Sequence, residues 1–283
     1  MSNIQTRLQH IRWLQSIGIE YYCSDKEKDS KNLLIDKIQQ KNKQTSQEIQ
    51  PIKPTPKVKQ EPIMSPKKKK TTKDKIEDQA AVDRARELAN KAQTIDELYE
   101  MVKSFDGCSL KEFASNTVFG QGPQDSPVVI VGEAPGAKED EQGVPFCGES
   151  GILLDAMLKT IGISRQENAY ITNTIFWRPP ANRRPTVTEI EICRPFVEKH
   201  IALKKPKLII LVGSTAAASL IGKDESISEI RQNNYSYTNP YITEPVCTTA
   251  LFHPAYLLRQ PMQRKNTWYD LLKIKDLLTK LDI

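Results

Sequence analysis

Three polar side chains stand directly after or at the end of short apolar runs and carry groups that could do chemistry: Glu133, Asn173 and His253. A carboxylate can orient water or stabilise a cation, a carboxamide can donate and accept hydrogen bonds at once, and an imidazole can donate to a developing anion. Each residue alone also has an ordinary explanation, as a charge near a helix N-terminus, a turn former or a surface imidazole. Their chemistry therefore depends on whether the fold brings them together.

The surrounding pattern predicts how these residues are positioned. Apolar runs predict strands at residues 128–131, 169–172, 208–212 and 247–252, and helices are predicted near 150–161, 188–204, 214–221 and 265–280. Two earlier helices are predicted, one around residues 81–89 and one beginning at the N-cap Thr94 with Glu97 placed for a capping box. This alternation predicts a three-layer α/β/α fold with a central parallel four-stranded sheet. The three polar side chains should then converge at its carboxyl edge.

The chain preceding this domain divides into two predicted segments. Residues 1–24 are predicted to contain a short amphipathic helix, because apolar residues recur at helical spacing at Ile4, Leu8, Ile11, Leu14 and Ile17. Residues 25–75 are rich in Lys, Gln, Ser and Pro and have too little apolar surface to offset chain entropy, which predicts a disordered linker. The α/β domain is then expected over residues 76–283.

The charge of the chain is concentrated in the predicted linker. Residues 51–75 contain nine Lys and two acidic residues, a balance of +7, whereas the whole chain carries +6, so the remaining residues sum to −1. Any contact of the α/β domain with a polyanion would therefore depend on a local basic patch rather than on a global field. The run of four lysines at residues 67–70 is compatible with a solvated charged segment and with a nonspecific DNA tether.

Cysteine usage and hydropathy suggest the compartment. The chain has five cysteines without CxxC spacing, at positions 23, 108, 147, 193 and 247. No cleavable signal is recognisable, and the longest apolar runs have the length of strands, so no membrane span is predicted. These features lead us to expect a cytoplasmic protein in a reducing environment, without a membrane partner. We also expect a monomer.

Five ordered blocks carry a resemblance to a known family. They occupy residues 132–140, 145–154, 171–173, 178–183 and 253–259 and read GEAPGAKED, PFCGESGILL, ITN, RPPANR and HPAYLLR. In order and spacing they closely resemble the type 4 uracil-DNA glycosylases, over about residues 105–280. The resemblance implies the α/β/α fold and hydrolysis of the N-glycosidic bond of deoxyuridine in DNA. Uracil would be released and an abasic site left, as in base excision repair.

The resemblance also implies roles for site residues. The expected uracil-binding set is Gly132, Glu133, Ala134, Phe146, Asn173 and His253, with Glu133 and His253 as the catalytic pair. Breaking this bond leaves positive charge on the sugar and negative charge on uracil. Asn173 would accept from uracil N3–H and donate to O4, His253 would donate to O2, and Phe146 would stack on the flipped base. Glu133 would orient water and stabilise the sugar cation, or mainly hold its loop.

Two basic clusters are expected to contact DNA. Arg178, Arg183 and Arg184 lie in a proline-rich loop, and Arg259, Arg264 and Lys265 follow the histidine block. Between them, Tyr256, Leu257 and Leu258 are candidates for an apolar wedge that would fill the space left by a flipped base. Packing of these residues against the domain is the alternative.

The chain departs from the family at the metal site. Type 4 members usually bind a [4Fe-4S] cluster through four cysteines, and only Cys108 and Cys193 stand at matching positions here. Phe105 and Trp177 occupy the other two. Because two thiolates do not hold such a cluster, we expect no cofactor, with the two aromatic side chains filling the space. Recruitment of Cys147 is the alternative.

Two other functional classes remain open from sequence. One is a protein that binds uracil-containing DNA without turnover, or traps its sugar covalently. A branch of that kind resembles this family but carries a basic insertion and an extra histidine after the second strand, and residues 176–185 have neither. The other is a repair or polymerase interaction module built on a degenerate fold. Retention of all four proposed site side chains favours turnover.

Overall fold

The computed structural model describes residues 72–222 and 225–283. The predicted helix within residues 1–24 and most of the predicted linker lie outside this range. The first described helix begins at Thr72, so residues 72–75 are helical rather than the end of a linker. Once a helix is nucleated, each added residue gains a backbone hydrogen bond, so the helix can begin before the apolar pattern that predicted it.

Five strands form one sheet in the described chain. They are β1 (Val128–Gly132), β2 (Ala169–Asn173), β3 (Leu208–Val212), β4 (Tyr235–Tyr237) and β5 (Val246–Leu251). Their order is β2-β1-β3-β5-β4. The four predicted parallel strands are confirmed, and β1, β2 and β3 are buried along their whole length.

The predicted four-stranded parallel sheet is incomplete, because β4 adds an antiparallel edge beside β5. This strand has only three residues and reads Tyr-Ser-Tyr, so its alternation is too short to stand out as a sequence pattern. The sheet is therefore mixed, while its central part is parallel as expected for strands covered by helices on both faces.

Helices cover the sheet. They are α1 (Thr72–Lys91), α2 (Ile95–Ser104), α3 (Ala137–Gln142), α4 (Glu149–Lys159), α5 (Val187–Lys204), α6 (Ser214–Ile221), α7 (Ile227–Ile230), α8 (Pro254–Arg259) and α9 (Arg264–Lys280), with 3₁₀ turns at Ser109–Phe113, Pro180–Asn182 and Pro261–Gln263. All six predicted helices of the domain are present, and the short α3, α7 and α8 were not predicted. None of the helices in residues 72–222 and 225–283 is long and apolar enough to span a membrane.

Two N-terminal helices extend the core. Helix α1 buries a row of alanines, Ala81, Ala85 and Ala89, and packs mainly on α5. The Thr94 N-cap of α2 accepts a hydrogen bond from the Glu97 N–H, as predicted, while the Glu97 carboxylate accepts from the Gln93 N–H rather than from the cap.

Candidate active site

The carboxyl ends of the parallel strands bring the predicted site residues together. Gly132 and Asn173 are paired in register at the ends of β1 and β2. His253 follows β5 by two residues. An alanine Cβ placed at Gly132 would lie 2.4 Å from Asn173 Oδ1 and 2.4 Å from Phe146 Cε2. The absence of a side chain at this position therefore lets the amide and the aromatic ring approach the strand end together.

The Asn173 side chain is buried and has no hydrogen-bond partner among residues 72–222 and 225–283. The residue is 1% exposed, and within this described part of the protein neither its Oδ1 nor its Nδ2 is paired. Buried amides nearly always find partners, because an unpaired buried donor or acceptor costs about 1–3 kcal/mol. A buried amide without a protein partner at the carboxyl edge of the sheet is therefore a candidate to bind a ligand that offers one donor and one acceptor.

Phe146 lies beside this amide in an unusual backbone conformation. Its φ is 51°, in the left-handed region, which bulky residues rarely adopt. The ring centroid is 5.7 Å from that of His253, with the planes tilted by 31°. The residue is 7% exposed and forms part of the wall of the cavity described below. The ring thus lies at the strand ends, close to the Asn173 amide.

The protonation state of His253 follows from its position as the N-cap of α8. Its Nδ1 accepts a hydrogen bond from the Ala255 N–H at 3.2 Å, so the neutral ring carries its proton on Nε2. Burial lowers the pKa of His253, against the opposing effect of the Glu133 carboxylate. Gly213, at φ 94°, leaves room for the imidazole, because a Cβ there would lie 3.1 Å from His253 Cβ. The ring is a neutral donor.

Thr174 holds the backbone of the loop after β1 through two hydrogen bonds, at Gly132 and Glu133. The Thr174 hydroxyl donates to the Glu133 carbonyl at 2.6 Å, and the Thr174 N–H donates to the Gly132 carbonyl at 2.9 Å. These bonds hold the backbone and leave the Glu133 carboxylate at the wall of the cavity. From this position the carboxylate can act on a ligand or on water in the cavity.

Glu139 joins the two loops that form the site, a role that sequence reasoning missed. Its carboxylate accepts from the Gly136 N–H at 3.2 Å and from the Gly148 N–H at 2.8 Å. The sequence did contain a signal for this role, because Glu139 stands three residues after Gly136, the N-cap of α3, which is the spacing of a helix-capping carboxylate. The Asp140 carboxylate similarly holds the backbone of Ser115 and Asn116.

An open cavity of about 830 Å³ lies at this edge of the sheet. Of the predicted site residues, its wall includes Glu133, Ala134, Phe146, Arg183, Arg184, His253, Tyr256, Leu258 and Arg259. Gly132 and Asn173 lie behind this wall, and Arg178 and Leu257 do not contribute to it. Lys138, which the sequence did not single out, adds another cation.

The residues of the basic loop and the wedge candidates differ in their contacts and burial. Both Arg183 Nη atoms contact Glu189, at 2.9 and 2.6 Å, so its charge is compensated within the protein. Arg178 donates to Asn182 Oδ1 at 2.7 Å. Leu257 is fully buried and is removed from the expected DNA-contacting set, since a core side chain cannot enter a base stack. Leu258 is 39% exposed and remains available for that role.

The residues at the family's cluster position do not fit a [4Fe-4S] group. A hydrogen bond from Cys193 lowers the pKa of Cys108, and the same contact, with burial, raises the pKa of Cys193. Phe105 and Trp177 are both buried. The Phe105 ring packs edge-on against Phe196 at 5.1 Å, and the Trp177 indole donates to Thr117 Oγ1 at 3.1 Å. Within the described chain, no group of three or more His, Cys, Asp or Glu is arranged to hold a metal.

Comparison with known proteins gives a consistent result. The family described as the uracil DNA glycosylase superfamily matches residues 119–277. A type-4 uracil-DNA glycosylase of Pyrobaculum aerophilum is 36% identical over 181 residues, which cover 62% of this chain and 91% of that protein. The corresponding protein of Thermotoga maritima is 37% identical over 184 residues, covering 64% and 93%. That of Archaeoglobus fulgidus is 34% identical over 192 residues, covering 66% and 95%.

Proposed function

Because the chain belongs to the type-4 uracil-DNA glycosylase family, we propose that it hydrolyses the N-glycosidic bond of deoxyuridine in DNA. The products are free uracil and an abasic site, and the process served is DNA repair. The observation that carries the proposal is the buried, unpartnered Asn173 amide at the carboxyl edge of the sheet, beside Phe146 and His253.

Recognition of uracil rests on Asn173. The amide oxygen accepts from uracil N3–H and the amide nitrogen donates to O4, which satisfies both orphaned atoms at once. Cytosine presents an unprotonated N3 and an amino group in these positions, so both pairs would fail. Uracil reaches the amide as the Phe146 ring swings aside, and the ring then stacks on the base. Gly132 and Ala134 provide close approach of the β1 end to the ligand.

Departure of uracil rests on His253. As the glycosidic bond breaks, negative charge builds up on the uracil ring. The neutral imidazole donates from Nε2 to uracil O2, with its orientation fixed by the bond from the Ala255 N–H to Nδ1. A donor held in a buried site stabilises the developing anion more strongly than water does, because it requires no reorganisation.

Glu133 is assigned to the sugar side of the reaction. Its carboxylate lies at the cavity wall, and its backbone is held by Thr174. From there it orients the attacking water and stabilises positive charge on the sugar. The bond broken is C1′–N1; water supplies the hydroxyl at C1′, and its remaining proton balances the uracil anion.

DNA is held by the cations around the cavity. Arg184 and Arg259 are the main phosphate-binding candidates, with Lys138 beside them. Arg183 supports this loop through Glu189 rather than offering an uncompensated charge. Leu258, with Tyr256 next to it, is assigned to the gap left by the flipped base.

We further propose that the protein needs no cofactor, acts alone and is located in the cytoplasm. The chain works without a [4Fe-4S] cluster, since two cysteines and two buried aromatic side chains do not provide its four ligands. We propose that it acts as a monomer. A cytoplasmic location is supported by the cysteines at 108, 147, 193 and 247, which are free thiols.

The test uses end-labelled oligonucleotides that contain one uracil, one cytosine or one thymine at the same position. Incubation in EDTA followed by heating in alkali should cleave only the uracil strand, because alkali breaks DNA at abasic sites. Asn173→Asp should reduce uracil excision strongly, since a carboxylate cannot donate to O4. Intact uracil strands at stoichiometric protein would refute the proposal, and a covalent adduct on denaturing gels would indicate trapping instead of hydrolysis.

A further inference from the structure

The backbone of Phe146 is in the left-handed region, which a phenylalanine does not favour by itself. A phenylalanine at φ 51° is in a region disfavoured by contact between Cβ and the backbone. The conformation persists only where surrounding groups fix it. The interactions that fix it therefore also determine where the ring stands relative to Gly132 and Asn173.

A buried arginine outside the cavity wall grips the backbone of this turn. Arg165 is 8% exposed; its Nη1 donates to the Pro145 carbonyl at 2.8 Å and its Nη2 to the Phe146 carbonyl at 2.9 Å. Two carbonyls of adjacent residues are thus bound by the two arms of one planar fork. This geometry is specific to arginine, because a lysine ammonium cannot present two donors in a fixed plane.

The guanidinium is itself held in place from the other side. Asp155 Oδ1 lies 3.0 Å from Arg165 Nε and 2.9 Å from Nη2, and Gln121 Oε1 accepts from Nη1 at 3.0 Å. Every nitrogen of the guanidinium therefore has an acceptor. The ion pair also compensates the buried charge, which makes the group a fixed support rather than a mobile surface side chain.

The opposite face of the turn is closed by glycine. A Cβ at Gly151 would lie 1.8 Å from the Phe146 carbonyl oxygen, so only a glycine in α4 allows this approach. The Phe146 carbonyl is thus enclosed between Gly151 and Arg165. Two residues later, the Gly148 N–H donates to the Glu139 carboxylate. The backbone is fixed, and only the ring is left to move.

We propose that Arg165 is a positioning residue for base recognition, which fixes the Phe146 backbone in its left-handed conformation so that the ring can close on the flipped base. The proposal rests on the proposed glycosylase function. Arg165 acts through Phe146, since it does not contribute to the cavity wall. The same reasoning makes Asp155 and Gln121 supports of Arg165.

A double-mutant cycle tests this assignment. Single-turnover excision at saturating uracil-containing duplex is measured for the full chain, Arg165→Ala, Phe146→Ala and the double variant. Arg165→Ala should lower the rate about 10- to 100-fold, the range for a displaced catalytic geometry. In the Phe146→Ala background the same change should cost less than about threefold, because the group that it positions is already absent.

Two controls separate positioning from loss of fold. Lys204→Ala removes another buried cation that donates to a backbone carbonyl, that of Pro123, at the opposite end of the strands. It should lower the Tm and leave the single-turnover rate unchanged. Guanidinium at millimolar concentration should partly restore Arg165→Ala, and Arg165→Lys should stay impaired despite its charge.

The results separate failure of the glycosylase function from failure of the positioning role of Arg165. An inactive wild-type chain would overturn the glycosylase function and this proposal with it. If the wild type is active but Arg165→Ala lowers the excision rate by the same factor with and without the Phe146 ring, only the positioning role is overturned. A rate for Arg165→Ala equal to that of Lys204→Ala would do the same.

Discussion

Replacing Asn173 by leucine should make the protein more stable and nearly inactive. Both polar atoms of this side chain are buried without a partner in the described part of the chain, and each such atom costs about 1–3 kcal/mol. Leucine has a similar shape and no polar atoms, so allowing for imperfect packing we expect a gain of about 2 kcal/mol. For a domain of about 200 residues, this corresponds to a rise in Tm of about 4–8 °C.

The same substitution removes the groups that pair with uracil. A site built to hydrogen-bond its ligand loses several orders of magnitude when the pairing fails, so single-turnover excision should fall by about 10³-fold or more. Thermal and urea unfolding with single-turnover kinetics on one duplex measure both effects. Greater stability combined with lost function would identify Asn173 as a group kept for binding at the expense of the fold.

Asn168→Leu is the matched control. Both polar atoms of its amide are paired: Oδ1 accepts from the Ser164 N–H at 2.8 Å, and Nδ2 donates to the Gly162 carbonyl at 2.9 Å. Leucine there should lower stability by about 1–2 kcal/mol, so it serves as the stability control. If Asn173→Leu lowers stability as much as Asn168→Leu, the Asn173 amide has structural partners and the reasoning fails.

Three further outcomes are expected. His253→Ala should lower the single-turnover rate by about 10²- to 10³-fold with little effect on DNA affinity; lost affinity with an unchanged rate would make it a phosphate contact. Purified protein should lack absorption at about 400 nm and fold without iron, whereas stoichiometric iron and sulfide lost in Cys108→Ser would contradict this. Burial lowers the pKa of His200 to about 3. Below about pH 6.5 the unfolded chain therefore binds a proton that the folded chain does not, which should lower the free energy of unfolding by about 2 kcal/mol at pH 5. Urea unfolding as a function of pH should show this loss in the wild type and not in His200→Gln.

The sequence could predict the parts of the protein that depend on local pattern. Apolar runs identified the four parallel strands, and helical spacing with the Thr94 cap identified the main helices, because burial and capping leave direct marks on residue order. The carboxyl-edge rule then brought Glu133, Asn173 and His253 to one edge of the sheet. Strand β4 escaped prediction, because a three-residue edge strand gains its stability from pairing with β5 rather than from its own pattern.

Only the tertiary structure could decide how the site is held and which groups are unsatisfied. Arg165 reads in sequence as an ordinary surface residue in a turn, yet folding buries it against the carbonyls of Pro145 and Phe146. Leu257 and Leu258 are equivalent in sequence, and the phase of helix α8 buries one and exposes the other. Hydrogen-bond satisfaction and burial are properties of contacts between distant segments, so the unpaired Asn173 amide is visible only after those segments have packed.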